Sequence, residues 1–313
     1  MKLLTVIIPA YNVDSYIGTC IESVLKQASS HKSIRVIVVI DGATDSTFDE
    51  ATLAAKGHED SVLIVSQHNA GLSAARNAGI ELTETEYVTF LDGDDIWLTG
   101  YLEATLPVLE ARIADVVEYD AARITESGEH LDLLKIAAAS PGENTLVTAH
   151  QFLRIFRCYA WARIYRTSLV RVHPYPVGRR FEDTATTPWH YWNSRSCISI
   201  GIPLIGYRQR AQSILAVPTR QDIDDISETT KEAATMFSKT RDTYWQHVTH
   251  RSFQQACRRT TWLPFPLWRE SLRTALLAIQ GVPPPAGLTR WLQVHSTFTY
   301  TILLYCKRVF ESR

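Results

Sequence analysis

Short apolar runs alternate with segments of helical periodicity from residue 3 to residue 120 of this 313-residue chain. The runs are LLTVIIP, IRVIVVI, SVLIVSQ, EYVTFLD and DVVEY, and a segment with helical spacing or a capping signal follows each of the first four. A run that is apolar on both faces, such as IRVIVVI, is typical of a central strand in a parallel sheet. The alternation therefore predicts an α/β fold, with an open, mainly parallel sheet covered by helices on both faces.

Polar and ring-bearing residues stand where three of these runs end. In an open α/β sheet, ligands bind in the crevice at the carboxyl ends of the strands. Pro9, Tyr11 and Asn12 are expected at this edge after the first run, and Asp41 after the second. Asp92 and Asp94 are expected there after the fourth run. Each one alone fits ordinary turn chemistry, but turns do not explain why all of them fall at one edge. The sequence therefore predicts a ligand-binding crevice there.

The segment YVTFLDGDDIW ends an apolar run in three aspartates. Asp92 and Asp94 are two residues apart, and side chains two apart on an extended strand point the same way. Converging carboxylates are favourable when a cation lies between them, and oxygen ligands suit Mg²⁺ or Mn²⁺. Asp95 would point away from Asp94 and is expected to cap the helix that follows. The alternative is a simple turn, because Asp and Gly are both turn formers.

Other nucleotide-site patterns are missing from the sequence. There is no G-x-G-x-x-G after the first run, no G-x-x-x-x-G-K-[ST] phosphate loop and no G-x-S-x-G elbow. Phosphate groups would then be held mainly by a metal on the aspartates, with Arg76 or other cations assisting. The five cysteines are far apart and form no C-x-x-C pair, which argues against a zinc site and favours a reducing compartment. Pro9 and Asn12 interrupt the apolar start, so it predicts a first strand rather than a signal peptide.

Seven segments, in their order and spacing, resemble the successive blocks of inverting family 2 glycosyltransferases. They are TVIIPAYNVDSYIGTCIESVLKQ, VIVVIDGATDST, NAGLSAARNAGI, YVTFLDGDDIW, WARIYRTSLV, RRFEDTATTPW and IPLIGYRQRAQSI. The resemblance covers residues 3–214. It implies the Rossmann-like GT-A fold and a nucleoside diphosphate sugar as the donor substrate.

The resemblance also implies roles for single residues on the nucleotide side. Asp41 matches the acidic residue that contacts the base, usually uracil, and this chain has Ile40 where the family often has a second acid. Arg76 matches a basic residue of the crevice, with an exposed helix arginine as the alternative. Asp92 and Asp94 match the D-x-D element, and Asp94 is the expected direct ligand of Mn²⁺ or Mg²⁺.

On the acceptor side, Asp183 in FEDTA matches the catalytic base, and Glu182 lies beside it. A positioned carboxylate would take the proton of the acceptor hydroxyl, and attack opposite the leaving group would invert the anomeric carbon. The alternative for FED is a helix N-terminus, where the helix dipole favours acids. Arg208 and Arg210 match a block near the active site, and either would approach the diphosphate.

Three further side chains near these blocks have less specific expectations. Trp189, in WHYW, would present its ring to an acceptor sugar or, as is commoner for such residues, pack in the core. Trp161 and Arg163 are expected to serve packing and surface roles.

The family pattern is lost after residue 217. We expect residues 1–217 to form the GT-A domain and residues 218–313 a basic helical region, with a helix over DIDDISETTKEAATMFSKT. Residues 239–313 contain 11 basic and 3 acidic residues, which leaves 21 and 30 in the rest of the chain. The basic, aromatic segment 291–313 is too interrupted to span a bilayer. It would lie on an anionic membrane surface or pack on protein, including a second copy in a homo-oligomer.

These expectations describe a metal-dependent enzyme that moves one sugar from a UDP-sugar to a glycan or lipid-linked acceptor in surface polysaccharide synthesis. It would work in the cytoplasm or at the inner face of the cell membrane, and no nucleic-acid partner is expected. One alternative is a sugar nucleotidyltransferase, which would be expected to carry a G-x-G-T-R-type loop where this chain has PAYNVDSY. The other is a non-catalytic nucleotide-sugar-binding protein, disfavoured because Asp92, Asp94 and Asp183 are all present.

Overall fold

The computed structural model describes residues 2–28, 33–210 and 217–283, together with Thr297, Thr299, Thr301, Ile302 and Tyr305. The chain forms two compact units. The first comprises Met1–Gly178 and Thr186–Ala211, and the second comprises Arg179–Ala185 and Gln212–Arg313. The domain boundary expected after residue 217 stays a prediction. The basic aromatic segment expected at residues 291–313 lies outside the described residues, apart from the five single residues named here.

The first unit is built on one sheet, which has ten strands over the residues that the structure describes. The strands are β1 (Leu4–Ala10), β2 (Ile34–Asp41), β3 (Val62–Gln67), β4 (Tyr87–Phe90), β5 (Ile96–Trp97), β6 (Val116–Ile124), β7 (His130–Leu134), β8 (Asn144–Val147), β9 (Arg163–Arg166) and β10 (Cys197–Arg208). Their order along the sheet is β3-β2-β1-β4-β9-β6-β10-β5, with β7 beside β6 and β8 beside β10.

Strand direction divides the sheet into two parts. β1 is parallel to both β2 and β4, and β2 is parallel to β3. β9 is antiparallel to both of its neighbours, β4 and β6, while β6 and β10 are parallel to each other. β5, β7 and β8 each join by antiparallel pairing, which needs no helical crossover. The α/β fold class is confirmed, with the refinement that the sheet is mixed rather than mainly parallel.

Helices cover both faces of the parallel part of the sheet. Those of the first unit are α1 (Asp14–Ala28), α2 (Thr47–Ala54), α3 (Leu72–Glu81), α4 (Tyr101–Glu110), α5 (Ala149–Ile155) and α6 (Thr167–Val172), and α7 (Glu182–Asn193) begins in the second unit. Val6 and Ile8 pack on one face with Ile21 of α1. Ile7 points to the other face and packs closely on α3. A Cβ added to Gly79 of that helix would lie only 2.4 Å from Ile7 Cγ2. The predicted strands β1 to β4 and β6 and helices α1 to α4 are confirmed.

The second unit contains a group of three helices, namely α8 (Arg220–Thr240), α9 (Thr243–Thr260) and α10 (Trp268–Ala278). The helix predicted over DIDDISETTKEAATMFSKT is confirmed as α8, which begins with a capping box formed by Thr219 and Asp222. The three helices pack on one another and bury apolar side chains such as Ile226, Phe253 and Leu272. In the part of the chain that the structure describes, no helix combines the length and apolar character needed to cross a bilayer.

Candidate active site

The segment after β1 is tied to the segment after β2 at the carboxyl edge of the sheet. Asn12, whose φ is 50°, accepts a hydrogen bond through Oδ1 from the backbone N–H of Thr44 at 2.9 Å. Pro9 lies within β1, and the ring of Tyr11 is 47% exposed just beyond the strand. The structure therefore places these three predicted residues at the edge where ligands bind in sheets of this kind.

Asp41 ends β2 with its side chain buried. Its Oδ1 accepts hydrogen bonds from Gln67 Nε2 at 2.7 Å and from the backbone N–H of Ala70 at 2.9 Å. Its Oδ2 accepts one from the backbone N–H of Gly71 at 2.8 Å. Asp41 thus fixes the loop between β3 and α3. A carboxylate has about four lone-pair sites, so one acceptor site remains for a ligand, and contact with a nucleobase stays a prediction.

Arg76 of α3 is buried, at 2% exposure, so the alternative of an exposed helix arginine is wrong. Its Nη2 donates to Asp92 Oδ1 at 2.9 Å. Its guanidinium carbon lies 5.3 Å from the ring centre of Tyr175 and 5.8 Å from that of Phe90. The two aromatic rings thus hold the Arg76 guanidinium beside Asp92, the first aspartate of the D-x-D element.

The second aspartate of that element is held by arginines from the end of β10 and just beyond it. Arg210 Nε lies 2.6 Å from Asp94 Oδ2 in an ion pair, and Arg208 Nε donates to the backbone carbonyl oxygen of Asp94 at 2.7 Å. Both guanidinium groups lie over the ring of Tyr16, at 5.2 and 5.3 Å. The side chains of Asp92 and Asp94 are 26% and 19% exposed, so both carboxylates are accessible to a ligand.

Asp95 has a different role from the one expected. Its carboxyl group is buried, and its Oδ1 accepts a hydrogen bond from the backbone N–H of Arg208 at 2.8 Å. The following helix, α4, begins only at Tyr101 with Gly100 as its N-cap. The prediction that Asp95 caps that helix is therefore wrong, and Asp95 instead fixes the end of β10 beside the D-x-D element.

Burial and the neighbouring carboxylates raise the pKa values of Asp94 and Asp95. Burial, followed by the charges of Asp94 and Asp92, raises the pKa of Asp95 well above its ordinary value. Burial and then the charge of Asp92 raise the pKa of Asp94, and the charge of Arg210 opposes this effect. Negative charge is thus crowded at the end of β4, and additional positive charge bound there would stabilise the ionised carboxylates.

The donor groups fit a metal that shares its coordination with a substrate. No cluster of three or more His, Cys, Asp or Glu side chains suited to a metal occurs among the described residues. Asp92 and Asp94 supply two hard oxygen donors. Mg²⁺ is commonly held by one or two carboxylates together with the phosphates of a substrate. These two side chains would therefore hold a divalent cation when a diphosphate completes its coordination.

An aromatic stack that the sequence did not predict lies in the same unit. The ring centres of Tyr159 and Trp161 are 4.8 Å apart, and those of Trp161 and Tyr207 are 5.0 Å apart. Burial, then the neighbouring Tyr159 and Asp95, raises the pKa of Tyr207. Arg163 is fully buried and donates to the carbonyl oxygen of Tyr159 at 2.7 Å. A surface role for Arg163 is therefore wrong, because its charge helps to fix the stack.

The predicted base and its neighbour begin α7. Glu182 and Asp183 occupy the first turn of this helix, directly after Phe181, whose φ is 58°. Asp183 Oδ1 accepts a hydrogen bond from the backbone N–H of Thr184 at 2.7 Å. Further along the helix, Trp189 lies against the ring of His173, with ring centres 4.2 Å apart. The carboxyl group of Asp183 belongs to the second unit, and those of Asp92 and Asp94 belong to the first.

Comparison with known protein sequences gives one family. The model of the family described as Glycosyl transferase family 2 matches residues 5–173. Glycosyltransferase GlyA of Streptococcus pneumoniae serotype 4 is 28% identical over 244 residues, which are 75% of this chain and 34% of GlyA. GlyG of the same organism is 29% identical over 229 residues, or 68% of this chain and 73% of GlyG. The chain therefore spans about a third of the first relative and about three quarters of the second.

A further relative and a solved structure extend the comparison. The minor teichoic acid biosynthesis protein GgaB of Bacillus subtilis is 33% identical over 102 residues, or 33% of this chain and 11% of GgaB. Residues 1–349 of S. aureus TarS, solved in complex with UDP-GlcNAc, match with a TM-score of 0.74 at 19% identity. That match covers 97% of this chain and 89% of the TarS chain. It confirms the predicted GT-A fold with a helical C-terminal region.

Proposed function

This chain belongs to glycosyl transferase family 2, and from that premise we propose that it moves one sugar from a uridine diphosphate sugar to a hydroxyl group of a surface glycan or lipid-linked acceptor. The observation that carries the proposal is the pairing of two accessible aspartates with arginines at the carboxyl edge of the sheet: Asp92 with Arg76, and Asp94 with Arg210. Membership of a glycosyltransferase family favours sugar transfer over nucleotidyl transfer.

The charges of this site suit a diphosphate. Arginines bind phosphate through paired N–H groups, and the guanidinium groups of Arg208 and Arg210 both lie over the ring of Tyr16. A cation held by Asp94 would balance the carboxylate charge in place of Arg210, and the Arg210 guanidinium would then be available to phosphate oxygens. The positive charges of the cation and the arginines would together balance the charge of the diphosphate.

We propose Mn²⁺ or Mg²⁺ as the cation, held by Asp94 and Asp92. When bound, the ion supplies Lewis-acid stabilisation of the negative charge on the leaving group. Neighbouring residues of the protein fix the positions of Asp92 and of the arginines. Arg76 and its aromatic neighbours hold Asp92, and the buried Asp95 fixes the β10 end from which Arg208 and Arg210 extend.

The proposed base is Asp183. A carboxylate within hydrogen-bond reach of the acceptor hydroxyl takes its proton as the oxygen attacks the anomeric carbon. Attack from the face opposite the diphosphate gives a single displacement and inverts the configuration. Glu182 and Trp189 are proposed to lie near the acceptor rather than to carry the proton.

The nucleotide preference can be tested with Asp41→Asn. Uracil offers N3–H to a carboxylate, whereas N3 of cytosine is an acceptor, so the parent protein should bind UDP more tightly than CDP. Loss of a charged hydrogen bond costs about 1.5–3 kcal/mol, and UDP affinity should fall roughly 10-fold to 100-fold, at 1.4 kcal/mol per decade. Calorimetry in Mn²⁺ measures both affinities.

The CDP measurement is the control for this variant. Asp41 also fixes the loop before α3 through Gln67 and Gly71. A disturbance of that loop would lower the affinities for UDP and CDP equally. A direct contact predicts that the preference for UDP disappears. Equal losses for UDP and CDP, or unchanged UDP affinity, would contradict the proposed contact with the base.

Membrane contact is proposed for residues 291–313, which contain five aromatic residues and three basic ones, Lys307, Arg308 and Arg313. The full chain should sediment with vesicles that contain anionic lipid, and added salt should release it because surface attraction is screened. A chain without residues 291–313 should stay in solution at every salt concentration. If deletion instead changes the oligomeric state and leaves vesicle binding unaltered, the segment packs on protein.

A further inference from the structure

The segment Arg179–Ala185, which carries the proposed base, belongs to the second unit together with α8, α9 and α10. We refer to it as the base segment. Arg179 Nη2 donates to Glu232 Oε1 of α8 at 2.7 Å. The backbone N–H of Arg180 donates to Asp225 Oδ2, also on α8, at 3.0 Å. Charged groups of α8 therefore hold the two residues that precede the turn into α7.

Asp222 is the point where these contacts converge. Its side chain is fully buried, with 0% exposure. Arg180 Nε lies 3.0 Å from its Oδ1, and Arg259 Nε of α9 donates to its Oδ2. One buried carboxylate thus pairs with a cation from the base segment and a cation from α9. Removing it would leave two guanidinium groups without their shared counter-charge, which is costly in a buried setting.

The backbone between Arg180 and Asp183 contains an unfavourable conformation that the surrounding contacts must stabilise. Phe181 has φ of 58°, a left-handed conformation that costs about 1–2 kcal/mol for a residue with a side chain. The guanidinium carbon of Arg259 lies 5.6 Å from the Phe181 ring centre, a distance at which a cation is attracted to the ring face. Arg259 therefore contacts both Asp222 and the strained residue, and α7 starts immediately after that residue.

We propose that Asp222 is a positioning residue for Asp183, acting through Arg180, Arg259 and the left-handed turn at Phe181. The inference rests on the proposed role of Asp183 as the base. It assigns α8 and α9 a part in the reaction, since they fix the direction from which the base carboxylate meets the acceptor hydroxyl. Geometry of this kind matters because a displacement of about 1 Å can cost about 10²-fold in rate.

The test combines Asp222→Asn with Asp183→Asn in a double-mutant cycle. We expect Asp222→Asn to lower the kcat of transfer by about 10²-fold and to leave the affinity for UDP in Mn²⁺ unchanged. Amide hydrogen exchange should become faster at residues 181–185. In the Asp183→Asn background the second substitution should change the rate less than twofold, because a residue that acts through the base has nothing left to position. The assay uses the UDP-sugar and acceptor that give the highest turnover in a screen of UDP-sugars against glycan and lipid-linked acceptors.

Three further variants keep the test decisive. Asp224→Asn removes an exposed ion pair with Arg220 on the same helix and should leave kcat unchanged, since such pairs contribute little. If Asp222→Asn does not fold, Arg180→Gln takes its place, and Arg180→Lys should recover part of the rate.

The remaining outcomes distinguish failure of the positioning role from failure of the base assignment. Normal kcat in the Asp222 variant, or losses of equal size with and without Asp183, would overturn the positioning role while leaving the base in place. An active Asp183→Asn enzyme would instead overturn the base assignment in the proposed function, and the positioning role with it.

Discussion

Asp183→Asn should lower the rate of sugar transfer by about 10²–10⁴-fold, the usual contribution of a general base. The amide keeps the size of the carboxylate but does not accept the proton of the acceptor hydroxyl. Its carbonyl oxygen still accepts the hydrogen bond from the Thr184 backbone N–H, so the start of α7 should be preserved. UDP affinity should not change, because the proposed nucleotide and metal contacts are made by other residues. Initial rates and calorimetry in Mn²⁺ measure the two quantities separately.

Glu182→Gln is the matched control for this experiment. Glu182 is the adjacent acid in the first turn of the same helix, so its loss changes the local charge by the same amount. We expect a much smaller effect on kcat. If the Glu182 variant loses activity and the Asp183 variant turns over normally, the base has been assigned to the wrong carboxylate.

Asp94→Ala should abolish the metal dependence of the reaction together with most of its rate. A Lewis-acid cation contributes several kcal/mol to transition-state stabilisation, which corresponds to about 10²–10⁴-fold at 1.36 kcal/mol per decade. Mn²⁺ should no longer strengthen UDP binding, and EDTA should have little further effect on the residual rate. The fold should persist, because the Asp94 side chain is partly exposed and its ion pair with Arg210 lies at the crevice.

Asp132→Ala provides the control for loss of an ion pair as such. Asp132 lies on β7 and pairs with Arg123 Nε at 2.7 Å, nearly the distance between Asp94 and Arg210. It should retain full activity and full metal dependence. Undiminished transfer by the parent enzyme in excess EDTA would contradict the metal role, whatever the Asp94 variant does.

The parallel part of the fold could be predicted because its signals are local. β1 to β4 and α1 to α4 each show their own periodicity, and their alternation leaves few arrangements of the sheet. β9 has no such signal: it is four residues long and is inserted between β4 and β6 from much later in the chain. β7 is largely exposed, so it lacks the buried apolar pattern that identifies a strand. The mixed character of the sheet depends on these weakly marked strands.

At the site, the side-chain contacts between residues far apart in sequence could not be predicted either. The two-residue repeat of a strand does not apply to Asp92 and Asp94, because β4 ends at Phe90 and the Asp95 N–H donates to the Asp92 carbonyl oxygen at 2.9 Å in a turn. The partner of the Asp95 side chain is Arg208, 113 residues later, and no local pattern predicts that bond. Similarly, the sequence presents RRFEDTATTPW as one block, while its first residues belong to the second unit through charges on α8. Contacts between residues far apart in sequence decide which arginine pairs with which acid.

The most direct test of the proposed reaction is a proton and phosphorus NMR time course with a UDP-sugar and its acceptor. We predict that UDP appears at the rate at which the donor is consumed. We also predict that the new glycosidic signal has the anomeric configuration opposite to that of the donor. Retention of the donor configuration, or conversion of the UDP-sugar and added pyrophosphate to UTP and sugar 1-phosphate with no new glycosidic bond, would contradict an inverting sugar transfer at this site.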